Sequence, residues 1–184
     1  ISESVAVPIS VDTYKASIAE KAIEAGASLV NDVWGFTKDS RMASVVSERN
    51  LPVVLMHNQD HTFYTDMLND IINRLEELKN NAINEGVSES NIILDPGIGF
   101  GKNLRHNLEI LGGLERFKDM AGGVLLGASR KSFIGFLTGA DDSDRLTGSL
   151  AAAMIGATAG VDLVRVHDVK ETRKAVDTIN ALGF

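Results

Sequence analysis

Polar side chains that could bind a ligand follow short apolar runs at six places in this 184-residue sequence. They are Asp12, Asn31, His57, Asp95, Ser129 with Lys131, and Arg165 with His167. If the runs are parallel strands that curl toward a barrel, all of these side chains meet at one mouth. In an open doubly wound sheet, only the strands beside the switch point would reach a ligand. The pattern therefore predicts one shared binding site and favours a barrel.

Acceptor-rich groups form one part of this predicted site. Asp12, Asn31 and Asp95 suit a ligand edge rich in N–H donors, such as an amino-pyrimidinone heterocycle, although each alone is also typical of a helix N-cap. Asp95 is followed by Pro96 and by glycines at 97, 99 and 101. This loop has few side chains, so it leaves room for a flat ligand close to the backbone.

Cationic groups form the other part. In "GASRKSFIG" (127–135), Arg130 and Lys131 follow an apolar run, and in "LVRVHD" Arg165 and His167 are expected on one face of a strand end. An Arg-x-His pair at that place predicts an anion site. Lys131 also permits a Schiff-base aldolase as a rival hypothesis. The four histidines fall on different predicted elements, so the residues themselves predict no metal site.

The elements that must position these groups alternate along the chain. Continuous apolar runs at 7–13, 28–33, 51–57, 91–97, 122–129 and 162–168 are typical of parallel strands covered on both faces. Helical periodicity lies between them. One apolar face is expected to contain Leu104, Leu108, Leu111 and Leu114, and another helix is expected over 170–182. The acidic run at 141–144 is expected to cap a helix.

The predicted fold class is α/β, a (β/α)8 TIM barrel represented by about six βα units. A complete barrel of eight units takes about 250 residues. We therefore expect residues 1–184 to be a single barrel domain that corresponds to strands 3 to 8, with the first two βα units preceding this sequence. A six-stranded arc would otherwise leave two bare edges.

Composition excludes several other classes. The chain is 44% hydrophobic, which is enough for a buried core, and its net charge of −7 argues against a nucleic-acid partner. It contains no cysteine, so it has no disulfide framework, and this fits a cytoplasmic location. No apolar run reaches the roughly 18 residues of a membrane span, so no membrane association is expected.

Seven ordered stretches of the chain resemble the dihydropteroate synthases, pterin-binding barrel enzymes of folate biosynthesis. The stretches are "PISVDTYKA", "NDVWG", "VVLMHN", "ILDPGIGFGK", "LLGASRKSFIG", "DRLTGSLAAA" and "LVRVHDV". The resemblance implies a transferase that joins a 6-hydroxymethyl-7,8-dihydropterin diphosphate to p-aminobenzoate with loss of pyrophosphate.

The resemblance also implies roles for individual residues. Pterin binding is implied for Asp12, Asn31, Asp95 and Lys131, with Met56 and Gly99 as the walls of the slot; diphosphate binding is implied for Arg165 and His167; and the aminobenzoate site is implied for Phe100, Ser129, Arg130 and Lys131. Of these, Lys131, Arg165 and His167 are the expected catalytic groups.

Further expectations come from the same resemblance. They are a Mg²⁺ cofactor whose asparagine ligand precedes this sequence, competition by sulfonamides, and a homodimer. Two alternatives stay open: a pterin-binding barrel that transfers the methyl group of methyltetrahydrofolate to a corrinoid, and a catalytically inert pterin-binding fragment.

Overall fold

The computed structural model describes residues 1–141 and 144–183 and alternates strands with helices. The strands are β1 (Ser10–Asp12), β2 (Leu29–Asp32), β3 (Val53–Met56), β4 (Ile92–Asp95), β5 (Gly123–Leu126) and β6 (Leu163–Val164). The helices are α1 (Ala16–Glu24), α2 (Arg41–Glu48), α3 (Met67–Asn84), α4 (Leu104–Gly112), α5 (Ser132–Thr138), α6 (Leu146–Thr158) and α7 (Val169–Ala181).

All pairings within the six-stranded sheet are parallel, and the strands lie in sequence order, β1 to β6. The register places Asp12 beside Asn31 and Met56 beside Asp95. The carboxyl ends of neighbouring strands are therefore level, and the side chains that follow them share one edge. This arrangement confirms the predicted α/β fold of six βα units. The strands are shorter than the apolar runs that predicted them.

The sheet curls strongly. In a flat sheet, the first and sixth strands would lie about 24 Å apart, at about 4.8 Å per strand. Nevertheless, the Arg165 Nη1 atom after β6 lies 2.9 Å from Asp12 Oδ2 at the end of β1. Only a sheet curled as in a barrel brings these two ends within the reach of one side chain.

The hydrophobic core lies between the sheet and its helices. β3 is buried along its whole length, as expected for a central parallel strand, and Ile71, Leu75 and Phe117 are fully buried beside the sheet. Within the described residues, no helix is long and apolar enough to cross a membrane.

The predicted leucine face of α4 is partly wrong. Leu111 on α4 and Leu114 just after its end are buried, but Leu108 is 40% exposed, and Asn107 and Ile110 are buried instead. Asn107 is held inward by hydrogen bonds, which turns the helix so that Leu108 points away from the core. The last predicted helix, over 170–182, is confirmed as α7.

The predicted helix cap at 141–144 includes Asp142 and Ser143, which lie outside the described residues. The N-cap position of α6 is Arg145.

Two leucines of α4 provide a matched test of this orientation. Leu111→Ala is expected to lower the free energy of unfolding by about 2–5 kcal/mol, because it leaves a cavity in the core. Leu108→Ala is expected to change it by less than about 1 kcal/mol, because the side chain is partly exposed to solvent and lies outside the core. Urea unfolding of both variants measures the difference. Equal losses would contradict the helix orientation.

Candidate active site

The carboxylate of Asp95 lies at the centre of the candidate site. It ends β4 and is 2% exposed, and its Oδ1 atom accepts a hydrogen bond of 2.7 Å from the N–H of Gly97. Burial raises its pKa, whereas the Gly97 N–H and the charges of Arg165, Lys131 and Lys102 act in the opposite direction. A buried carboxylate surrounded by cations is a strong acceptor for ligand N–H groups.

Asp12 and Asn31 form a connected pair at the ends of β1 and β2. Asn31 Nδ2 donates to Asp12 Oδ2 over 2.8 Å, and the same oxygen accepts from Arg165 Nη1 over 2.9 Å. The N-cap alternative is wrong for both residues, because Lys15 and Ser40 occupy the N-cap positions of α1 and α2. Their polar groups therefore lie at the mouth, where they bind each other and Arg165.

Gly127 separates the acidic and cationic parts of the site by a small gap. A Cβ atom at this position would lie 3.4 Å from Arg165 Nη2 and 3.7 Å from Asp95 Oδ2. The two groups therefore face one space. The adjoining cavity has a volume of about 360 Å³ and is lined by Gly127, Ser129, Lys131, Arg165, Val166 and His167. It is large enough for a small polar ligand.

Lys131 crosses the mouth toward the glycine-rich loop. Its Nζ atom donates to the carbonyl oxygen of Ile98 over 2.8 Å and lies 4.1 Å from the centre of the Phe100 ring, in a cation–π contact. Burial lowers the pKa of Lys131, and the nearby Asp95 opposes that change. The side chain also passes close to Gly99, where a Cβ atom would lie 3.0 Å from Lys131 Cδ. Lys131, Gly99 and Phe100 thus form one wall.

Ser129 orients His167. The Ser129 hydroxyl lies 2.9 Å from His167 Nδ1 and also accepts the backbone N–H of His167 over 3.2 Å. These contacts hold the imidazole ring, which lines the cavity together with Arg165. The two side chains that the sequence predicts on one face are therefore together, as an anion site requires.

Arg130 is placed differently from the other predicted residues. Its guanidinium makes a bidentate ion pair with Asp168, at 3.1 and 2.5 Å, and does not line the cavity. Its backbone has a φ of 56°, an uncommon value for a residue with a side chain. Hydrogen bonds from its N–H to Ser149 Oγ and from Arg145 Nη1 to its carbonyl hold this conformation. The bend turns Ser129 and Lys131 toward the mouth.

Met56, the remaining predicted wall residue, is 1% exposed and pairs with Asp95 in the sheet. It therefore lies at the mouth end of β3.

Two further residues support the loop and were not predicted from the sequence. Asn107 is buried on α4; its Oδ1 atom accepts the N–H of Gly99 over 2.7 Å, and its Nδ2 atom donates to the carbonyl of Asn103 over 2.8 Å. Lys102 reaches back under the loop to His57, with 3.0 Å between Nζ and Nδ1. Burial and the neighbouring Lys102 charge lower the pKa of His57 to about 3.

A resident metal ion does not fit the described residues alone. Among residues 1–141 and 144–183, no group of three or more His, Cys, Asp or Glu side chains could hold one.

Comparison with known proteins identifies a family and individual relatives that match most of this chain. The family model of pterin binding enzymes matches residues 1–167. A dihydropteroate synthase of Clostridium beijerinckii is 50% identical over 176 residues, which are 95% of this chain and 65% of that protein. The chain thus spans slightly less than two thirds of the length of this relative.

Solved structures agree with the sequence comparison. The dihydropteroate synthase of Clostridium difficile, crystallised in the presence of pteroic acid, matches with a TM-score of 0.95 at 43% identity, over 98% of this chain and 69% of that chain. The dihydropteroate synthase of Xanthomonas albilineans with 4-aminobenzoic acid matches with a TM-score of 0.95 at 36% identity, over 98% and 67% of the two chains.

Asn107 provides a test of loop support. Asn107→Ala is expected to destabilise the protein by about 1–3 kcal/mol, because the N–H of Gly99 loses its acceptor. Asn80→Ala, at an exposed position of α3, is the control and is expected to have little effect. Thermal and urea unfolding measure both variants. An Asn107→Ala protein as stable as the control would show that the loop does not depend on this contact.

His57 predicts a pH dependence of stability. Its pKa of about 3 in the folded protein lies below the ordinary 6.5, so the unfolded chain binds the extra proton between these values. The stabilisation present above pH 6.5 is therefore lost as the pH falls toward 3, by on the order of 4 kcal/mol. In His57→Asn, the unfolding free energy is expected to fall less steeply between pH 6.5 and pH 3, because the contribution of His57 is gone. The exposed His61→Asn control is expected to keep the wild-type pH dependence. An unchanged slope of unfolding free energy against pH in His57→Asn would show that His57 is not its source.

Proposed function

The chain belongs to the pterin binding enzyme family, and we propose that it acts as a dihydropteroate synthase of folate biosynthesis. In this reaction a 6-hydroxymethyl-7,8-dihydropterin diphosphate condenses with p-aminobenzoate and releases pyrophosphate. The observation that carries the proposal is the position of the buried Asp95 carboxylate beside the cavity that Lys131, Arg165 and His167 line. Asp95 and Arg165 both approach Gly127, at the edge of this cavity. The named relatives support the same reaction class.

Pterin recognition is assigned to the acceptor side. The amino-pyrimidinone edge of a pterin presents adjacent N–H donors, which match the carboxylate of Asp95. The Asn31 amide offers both a donor and an acceptor to the same edge. Met56 and Gly99 would lie along the two faces of the ring. Each charge-assisted hydrogen bond of this kind contributes about 1.5–3 kcal/mol.

Diphosphate binding is assigned to Arg165 and His167, with Lys131 between them and the pterin side. As the bond between the exocyclic methylene carbon and the diphosphate oxygen breaks, its electron pair goes to the departing oxygen. Fixed cations stabilise the charge that develops there. The lone pair of the arylamine forms the new C–N bond, and the nitrogen loses one proton. Catalysis thus depends on leaving-group stabilisation and positioning, without a covalent enzyme intermediate.

The aminobenzoate site is assigned to Phe100, Ser129, Arg130 and Lys131. Phe100 and Lys131 offer an apolar ring and a cation at one wall, which suit an arylamine that carries a carboxylate. The pairing of Arg130 with Asp168 suggests that Arg130 contributes through its backbone bend. Sulfonamides are proposed as competitors at this site, and the related X. albilineans structure contains 4-aminobenzoic acid.

A Mg²⁺ ion remains a proposal from the family resemblance, as does the cytoplasmic location. The described residues do not form a metal cluster, and no step above requires one.

The corrinoid methyltransferase alternative would use the acceptor side but not the cations, because its substrate carries no diphosphate. The placement of Arg165, His167 and Lys131 around one cavity therefore favours the synthase.

A homodimer is also proposed. An apolar groove between α4 and α6 is lined in part by Leu111, Leu114, Met154 and Ile155, and Ile155 is 46% exposed. Ile155→Glu is expected to convert the dimer to a monomer, because burying an unpaired carboxylate is costly. Sedimentation velocity measures this change. A dimer that persists in the variant would exclude this groove from the interface.

The charge arrangement predicts the binding of the diphosphate. Arg165→Ala and Lys131→Ala are each expected to weaken the affinity for dihydropterin diphosphate roughly 10- to 100-fold, because each removes a charge-assisted contact. Lys118→Ala, before β5 at the opposite end of the sheet, is the control. Isothermal titration calorimetry with the pterin, with and without its diphosphate, measures the effects.

Equal affinity with and without the diphosphate would contradict the proposed function. Formation of dihydropteroate and pyrophosphate from the two substrates is the expected activity. Pterin binding without pyrophosphate release would favour the inert alternative.

A further inference from the structure

Lys102 places a largely buried ammonium group beneath the glycine-rich loop, and the mechanism above does not use it. Its Nζ atom donates to the carbonyl oxygen of Phe100 over 2.8 Å. It also lies 3.0 Å from His57 Nδ1 and 3.5 Å from the carbonyl oxygen of His57. All three contacts are to acceptors, with the neutral imidazole of His57 as one of them.

These contacts join the loop to the end of β3. His57 directly follows β3, and its N–H donates to the carbonyl oxygen of Asp95 over 2.9 Å. Gly97 permits the close approach: its φ is +73°, and a Cβ atom there would lie 2.0 Å from the His57 carbonyl oxygen and 3.3 Å from Lys102 Nζ. Lys102 therefore fastens the loop to the backbone beside Asp95.

The same ammonium contributes to the charge balance around Asp95. The positive charges that act on Asp95 are those of Arg165, Lys131 and Lys102, from the segments after β6, β5 and β4. The Lys102 ammonium lies beside Gly97, whose N–H donates to Asp95 Oδ1. The titratable groups that face Lys102 are Asp95, Lys131 and His57. Arg165 is 41% exposed at its side chain, so solvent and salt screen its charge more strongly than that of a shielded ammonium.

Burial lowers the pKa of Lys102 to about 7, while Asp95 favours its charged form. The attraction is reciprocal, since the positive charge of Lys102 favours the ionised form of Asp95.

On the premise of the proposed function, we propose that Lys102 is a positioning residue for pterin binding. Its ammonium holds the Phe100 segment against β3, and its positive charge favours the ionised carboxylate of Asp95, which accepts hydrogen bonds from the pterin. Lys102 itself does not touch the ligand. It acts through the loop and through Asp95.

The test compares Lys102→Met, which removes charge and hydrogen bonds, with Lys102→Gln, which keeps a donor but loses the charge. Lys118→Met is the control for loss of a surface lysine. Thermal unfolding first shows which variants fold. If Lys102→Met does not fold, the binding test uses Lys102→Gln alone. Affinity for 6-hydroxymethyl-7,8-dihydropterin diphosphate is then measured between pH 5 and 8 for each folded protein.

Both Lys102 variants are expected to bind at least tenfold more weakly at the acidic end of this range. Without the nearby positive charge the pKa of Asp95 rises. In the variants, the affinity therefore begins to fall at a higher pH than in the wild-type protein. Lys118→Met is expected to follow the wild-type curve. If the affinity is lower by the same factor at every pH, and still falls at the same acidic pH as in the wild-type protein, Lys102 is only a structural support. This result would overturn the electrostatic part of the proposal.

A ligand-free measurement separates this inference from the proposed function. Carbon NMR of the labelled Asp95 carboxyl group follows its titration directly, with Asp95→Asn for assignment. A higher pKa in Lys102→Gln than in the wild-type protein supports the role of Lys102, even if the wild-type protein fails to bind the pterin and the proposed function is wrong. An unchanged pKa overturns it.

Discussion

The burial of the Asp95 carboxylate is the constraint on which the site depends. A charge at the end of a core strand is unfavourable unless donors and opposite charges surround it. Here the Gly97 N–H supplies a direct hydrogen bond, and Arg165, Lys131 and Lys102 supply positive charge from three different segments. These segments follow three neighbouring strands, β4, β5 and β6. The curl of the sheet also brings the end of β1 to the same mouth, as the contact between Arg165 and Asp12 shows.

This arrangement leaves Asp95 partly uncompensated by the protein alone, because its pKa remains raised. A ligand that donates two hydrogen bonds to the carboxylate and carries negative charge toward the cations would satisfy both sides at once. A dihydropterin diphosphate has this combination, whereas a neutral pterin has only half of it. Binding energy from the pterin edge can then position the methylene carbon while the cations stabilise the departing diphosphate. The same groups would thus serve recognition and catalysis.

Much of this organisation could be predicted from the sequence, because it depends on local patterns. Continuous apolar runs identified the parallel strands, and the polar residues after them identified the mouth. The role of Lys102 could not be predicted, because it depends on how the loop after Asp95 folds back toward β3. Asn107 was missed for a similar reason: a polar residue within an amphipathic helix gives no sign that it will be buried. Its inward hydrogen bonds also explain why Leu108 was wrongly assigned to the core.

The placement of these groups implies that one ligand bridges the Asp95 carboxylate and the cationic cavity beside it. A crystal structure of the protein with dihydropterin diphosphate tests it most directly. The pterin amino-pyrimidinone edge is expected within hydrogen-bond distance of Asp95 and Asn31, with the diphosphate oxygens against Arg165 and His167. A pterin bound elsewhere, or a diphosphate directed away from Arg165 and His167, would contradict it.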